Sequence, residues 1–282
     1  MLLELAGRHP LLRDSLAAQS TDNGRLVVDA RRLLFASPLD LTATAATAHT
    51  HAAVGTRATL LLPDSADVAS YMQRMDLLRA MPRCTQVEGE VPDEIRSDRS
   101  STLLEVEALR PDTADAVSER LGRVATHHLG PRDGRRVFKG IGELIDNAIS
   151  HGTSTCGSFI AAQAYSGKTT GYRRLEIAVC DTGIGVLAHL RGNPAHCGIT
   201  TSAEALDRAL QPGVSGTSDM RGNGLPDLLA GTSDAAATRL VLRSGDGLLR
   251  AGRLRRAAVT RSISTATPVR GTWSWLRVSY RH

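Results

Sequence analysis

The chain has 282 residues, 41% hydrophobic and 22% charged, a balance that suits a globular protein and excludes a collagen-like, coiled-coil or mostly disordered chain. No apolar run reaches the roughly 18 residues of a membrane-spanning helix, and Glu4, His9, Arg13 and Asp14 interrupt the apolar start that a signal peptide would need. The net charge of +5 is uneven: residues 235–282 hold ten arginines and one acid, Asp246, so this segment is +9 and the remainder −4.

In chain order, Arg25–Asp29 and Leu33–Phe35 are short apolar runs and Leu39–Val54 is an Ala/Thr/Leu stretch long enough for a helix. Thr56–Leu62 reads as a buried strand stopped by Pro63-Asp64. Ser65 or Asp67 then caps a helix whose apolar face carries Tyr71, Met72, Met75 and Leu78. Strands separated by helices imply a small α/β domain over residues 1–82. Residues 83–101, with Glu88, Glu90, Asp93, Glu94, Asp98 and Pro92 but little apolar content, read as a linker.

A second domain, residues 102–282, opens with a strand at Thr102–Leu109 and helices at Asp112–Leu129 and Arg135–His151. Strands at Ser158–Tyr165 and Arg174–Cys180 follow, joined by the polar turn Ser166–Tyr172. A long Gly/Ser/Pro-containing stretch leads to a short helix near Leu225–Ala230. Strands at Thr238–Arg243, Leu254–Thr260 and Thr272–Tyr280 end the chain. Cys84, Cys156, Cys180 and Cys197 are widely spaced with no CxxC pair, which fits reduced thiols and a cytoplasmic protein better than a disulfide framework or a zinc site.

Three elements bear chemistry. In Gly142-Glu-Leu-Ile-Asp-Asn-Ala148, Glu143 and Asn147 are four residues apart on one helix face, where a carboxylate can take a proton and an amide oxygen can ligate a hard cation. Asp181-Thr-Gly-Ile-Gly185 follows an apolar strand, placing an acid where it can accept a hydrogen bond from an amine and two glycines where a flat ring can approach. Gly213–Leu225 is glycine-rich, contains Arg221, Gly222 and Gly224, and opens a helix, the arrangement that cradles phosphate on backbone N–H groups. Each alone is an ordinary surface pair, turn or loop. Ser166-Gly-Lys-Thr169 resembles the end of a Walker A loop, but it precedes a strand and the first glycine position holds Ala162, so it reads as a hairpin turn. The His127-His128 pair lacks the setting of a phosphoacceptor.

Taken in order, these boxes and the terminal Gly271-Thr272 resemble the GHKL, or Bergerat-fold, ATPases, over roughly residues 102–282. The resemblance implies a two-layer α/β sandwich that binds ATP and Mg²⁺. On it, Asn147 matches the Mg²⁺ ligand, Asp181 the acid that reads the adenine amine, and Gly183 and Gly185 the glycines beside the base. Arg221, Gly222, Gly224 and Leu225 match the phosphate-binding end of a lid running from Val186 to Arg221. Thr272 matches a threonine that helps bind adenine, and Glu143 the general base. Asn-Ala-Ile-Ser-His151-Gly152 is similar to the corresponding box of anti-sigma-factor serine kinases, and Glu143 speaks against the histidine-kinase branch. Residues 25–82 resemble a STAS-like domain, the fold of anti-sigma-factor antagonists. In those antagonists a serine at a helix start receives phosphate; Ser37 is nearest, followed here by Pro38.

The expectation is a regulatory ATPase or serine/threonine kinase that switches a protein partner of the sigma-factor-regulator kind, with a homodimer compatible with the pattern. The alternative is a nucleotide-dependent binding module with negligible turnover. Nucleic-acid engagement through the arginine-rich strands ranks last, because aromatics for base stacking are scarce and no DNA-gripping domain accompanies the boxes. No membrane association is expected.

Overall fold

A computed structural model describes residues 1–20, 24–93, 98–150, 156–167, 171–214, 229, 237–254 and 257–281. The N-terminal part comprises β1 (Leu2–Glu4), β2 (Gly7–Arg8), β3 (Ala18–Gln19), β4 (Leu26–Asp29), β5 (Leu33–Phe35), α1 (Pro38–Ala53), β6 (Ala58–Leu61), α2 (Ala66–Arg74), α3 (Leu77–Ala80) and β7 (Gln86–Glu88). Strands β1, β4, β6 and β7 run parallel in one sheet of order β3-β1-β4-β6-β7, with β3 antiparallel at its edge. Strand β7 lies inside the acidic stretch read as a linker. Its three residues are exposed and lack apolar alternation, so only pairing with β6 makes them a strand.

Helix α1 explains how the two parts of the chain meet. It begins at Ser37, whose side chain and that of Asp40 form a reciprocal capping box, with Pro38 where a missing N–H costs nothing. Every residue from Pro38 to Ala46, and Ala48, is buried. A helix with no solvated face must lie between two layers. Its alanines and threonines let both layers approach closely. The threonines Thr42, Thr44 and Thr50 satisfy their hydroxyls on carbonyls one turn back.

One layer is the N-terminal sheet; the other is a second, antiparallel sheet of order β11-β12-β10-β9-β8. Its strands are β8 (Leu103–Leu109), β9 (Ser158–Tyr165), β10 (Tyr172–Asp181), β11 (Ala237–Leu254) and β12 (Ala257–Arg281). Alternate residues of each strand face α1, so Phe159, Ala161, Ala178, Cys180, Val241, Trp273 and Trp275 share one core with Leu39, Leu41 and Leu60. The Thr42 hydroxyl lies 3.2 Å from the Cys180 sulfur, and the His49 and Phe159 rings are 4.9 Å apart. The opposite face packs Ile160, Leu175, Ile177, Val179, Leu240 and Leu276 against α4 (Ala114–Ser150). The fold is thus mixed α/β, with the second sheet covered on both faces.

Helix α4 turns back on itself at Gly130 (φ 79°), which Pro131 follows. A side-chain carbon on Gly134 would lie 2.7 Å from Thr126 Cα, and one on Gly122 would lie 3.4 Å from the Phe138 ring. These contacts are symmetric about the turn, so the two arms run antiparallel. The second arm buries Val137, Ile141, Leu144, Ile145 and Ala148 at helical spacing, which turns Glu143 and Asn147 off the core stripe.

Two expectations from sequence need correction. The last strands are longer: β11 has 18 residues and β12 has 25, forming one hairpin with register shifts at Ser244/Gly245 and Gly245/Gly247. Glycines at a bulge let a long ribbon bend without ending, so they do not mark strand boundaries here. The Gly/Ser/Pro-containing stretch, read without elements of its own, is structured over residues 185–214. They contain α5 (Gly185–Arg191), a 3-10 turn (Pro194–His196) and α6 (Ser202–Ala209), which the Thr201 hydroxyl caps at Glu204 N. Leu190, Ile199 and Ala205 form a small core that holds them.

Candidate functional site

Antiparallel register assembles the site. Asp181 of β10 pairs with Ser158 of β9, Ser244 of β11 pairs with Thr272 of β12, and the preceding pair in the other direction is Cys180 with Trp273. Ser158, Asp181, Thr272 and Ser244 therefore form a polar row across four adjacent strands. The pleat turns that row toward α4. The adjacent row, Phe159, Cys180, Trp273 and Arg243, faces α1 and the N-terminal part.

Asp181 is 9% exposed. Its Oδ1 accepts from the backbone N–H groups of Gly183 (2.9 Å) and Thr272 (3.2 Å). Oδ2 has no backbone donor among the described residues. Burial pushes the carboxyl up to about 6, opposed by the Gly183 N–H and by the backbone and hydroxyl of Thr272. A partly desolvated carboxylate at a strand end can accept from an external N–H donor.

The glycines around it are dictated by space. Gly271 has φ 73°, and a Cβ there would fall 2.1 Å from the Asp181 carbonyl oxygen. Gly185 has φ 78°, and a Cβ would fall 2.7 Å from Ser244 Oγ. Both positions reject a side chain twice over, by backbone conformation and by contact. The Thr182 hydroxyl donates to Gly157 O (2.8 Å), and Arg270 Nε donates to Thr182 O (3.1 Å), pinning the turn from outside.

The second arm of α4 ends at this row. Ser158 Oγ donates to Ala148 O at 3.0 Å, one residue beyond Asn147. Asn147 is exposed and Glu143 half-buried, one turn apart. The arrangement thus brings Asp181, Gly183, Gly185 and Thr272 into one cluster, and the end of α4, which bears Glu143 and Asn147, meets the same polar row at Ser158. Arg221, Gly222, Gly224, Leu225 and His151 lie outside the described residues, as does most of the short helix expected near 225–230.

Ser37 lies apart. It is fully buried, donates through Oγ to Asp40 Oδ2 at 2.6 Å and accepts from Asp40 N at 3.2 Å. A hydroxyl committed to a capping box between two sheets is closed to a phosphoryl donor. His127 and His128 pack edge to face at 5.1 Å, with His128 Nε2 on Ser101 O. Of Ser166-Gly-Lys-Thr169, Lys168 and Thr169 lie outside the described residues; the strands on either side, β9 and β10, pair antiparallel.

Sequence reasoning missed Ser158 and Ser244. Each is one serine in an apolar strand, and its membership of the row follows only from strand order. No group of three or more His, Cys, Asp or Glu side chains is placed to hold a metal among the described residues. A carboxamide with a neighbouring carboxylate still fits Mg²⁺, which keeps most of its waters and takes ligands from phosphates. No helix among the described residues is long and apolar enough to cross a membrane. No protein-family model matches the chain, and no curated protein matches it.

Proposed function

We propose that the chain binds Mg²⁺·ATP in a GHKL-type site and uses it to switch a protein partner by hydrolysis or by phosphoryl transfer to a serine or threonine. The observation that carries this reading is the Asp181 cluster: a buried carboxylate with one oxygen held by two backbone N–H groups, beside two glycines that cannot carry a side chain. That geometry suits a flat heterocycle with an exocyclic amine. Thr272 supplies a hydroxyl next to the same carboxylate.

The end of α4, which meets the polar row at Ser158, supports the triphosphate half of the reading. Asn147, exposed at the end of α4, would hold the metal through its amide oxygen. Glu143, one turn earlier, would accept the proton of the attacking water or hydroxyl. Mg²⁺, when bound, offsets charge on the phosphate oxygens. The N-terminal part is proposed as a STAS-like unit, on its order β4-β5-α1-β6-α2. Because Ser37 is enclosed, an acceptor hydroxyl would belong to a partner and not to α1. The protein would act in the cytoplasm.

Incubation with γ-labelled ATP tests the chemistry. Glu143→Ala should keep ATP affinity and lose label release or transfer by at least about 100-fold, the usual worth of a general base. Asn147→Asp should lose binding itself. Wild-type binding with no turnover under any partner would instead favour a switch that works by nucleotide occupancy alone.

A further inference from the structure

The polar row contains a residue to which the nucleotide reading gives no role. Ser244 is 1% exposed, at the point where β11 begins its bulge. Its Oγ donates to Gly271 O (2.9 Å) and accepts from Val186 N (2.8 Å), and it lies 3.5 Å from Thr272 Oγ1. Val186 is the second residue of α5, whose N-cap Ile184 offers no side-chain cap. Ser244 therefore fills, from 58 positions away in sequence, the capping task that Ile184 cannot perform.

We propose that Ser244 is a positioning residue for the base-reading end of the site, holding the Gly185–Val186 turn and the Gly271–Thr272 strand start in the spacing that aims Asp181. The proposal rests on the nucleotide reading above. A serine hydroxyl has one proton and two lone pairs. Here the proton goes to the carbonyl before Thr272 and one lone pair to the turn after Asp181. Thr272 N–H is one of the two donors that orient Asp181 Oδ1. Two chain segments that must both touch an adenine are thus joined by one atom. The close approach requires glycine at 185, because a Cβ there would meet that atom at 2.7 Å.

A purely structural serine would affect every ligand through stability alone. A positioning serine affects the base and spares the phosphates. Calorimetric titration of wild type, Ser244→Ala and Ser244→Thr with Mg²⁺·ATP, adenosine and magnesium tripolyphosphate separates the two. Ser244→Ala should weaken ATP and adenosine about tenfold, or ~1.4 kcal/mol, and leave tripolyphosphate within twofold. Ser244→Thr, which restores the hydroxyl, should recover most of the loss. If Ser244→Ala does not fold, Ser244→Cys, close in volume with a weaker donor, should show the same ordering. Equal losses for all three ligands, or none, would overturn the positioning role. Failure of the wild type to bind ATP or adenosine would instead overturn the nucleotide reading on which it rests.

Discussion

Asp181 and Asp40 are both buried aspartates with carboxyls pushed up to about 6, primarily by burial, yet their surroundings differ in kind. Asp40 has donors on both oxygens: Leu11 N at 3.0 Å on one, Ser37 N at 2.8 Å and Ser37 Oγ at 2.6 Å on the other. Asp40→Asn must turn an NH₂ group toward one of these donors, and should cost about 1–3 kcal/mol in chemical denaturation. Asp181→Asn keeps an acceptor for Gly183 and Thr272 and removes only the buried charge. It should raise stability at neutral pH by on the order of 1–3 kcal/mol while abolishing nucleotide binding. The sign follows from linkage. A raised carboxyl binds a proton in the folded state first, so its contribution grows as pH falls through about 6 toward the unfolded value of 3.8. The advantage of Asp181→Asn should therefore be largest near pH 7 and disappear below about pH 4. Nucleotide affinity of the wild type should move oppositely and fall as pH drops through 6. An Asp181→Asn variant less stable than wild type at pH 7 would show that donors to the carboxylate outweigh the cost of burying its charge.

At the scale of elements, the α4 turn gives two glycines opposite fates. A Cβ at Gly134 would press on the Thr126 backbone, whereas one at Gly142 meets nothing within 4 Å. Gly134→Ala should force the arms apart, cost about 1–3 kcal/mol and weaken binding by displacing Glu143 and Asn147. Gly142→Ala should stabilise by about 0.5–1 kcal/mol through helix propensity alone, with affinity unchanged. Thermal melts and titrations on both variants check the pair. Much of this level was legible in sequence. The 3.6-residue spacing of Val137, Ile141, Leu144 and Ala148 marks the second arm, and the apolar runs at 158–165 and 174–180 mark β9 and β10. What sequence hid depends on partners. Gln86–Glu88 is a strand only through β6, and α5 is short and uncapped by its own neighbours. Ser158 and Ser244 join the site only because β9, β10, β12 and β11 are adjacent in that order. Strand order over the chain from Ser158 to Thr272 is a global property that local pattern does not carry.

For the whole molecule, the N-terminal part is the second cover of the site's own sheet. Arg243, beside Ser244 in β11, points the other way and is 1% exposed. It donates to the carbonyls of Leu11 and Arg13, and burial pushes its guanidinium down to about 10, with Arg250 adding to the effect. Arg250 pairs with Asp14 at 2.8 Å, and Arg74 and Arg120 both reach Glu105, at 2.6 and 2.8 Å. Arg277 pairs with buried Glu176 at 2.7 Å over the Trp275 ring, so several arginines of the basic C-terminal segment serve contacts within the chain. Residues 102–282 expressed alone would expose Phe159, Cys180, Val241, Trp273 and Trp275 to water. That fragment should bind 8-anilinonaphthalene sulfonate and aggregate, while the full chain stays dispersed. A soluble, cooperatively folding fragment would show that the shared core is dispensable. The central claim is a nucleotide seated between Asp181 and the end of α4. Its most direct measurement is calorimetric titration of ATP into the full chain, with and without Mg²⁺. One saturable site per chain, tightened by Mg²⁺ and lost in Asp181→Ala, is the predicted result. Heats no greater than dilution in the wild type, or binding that ignores both Mg²⁺ and Asp181→Ala, would contradict it.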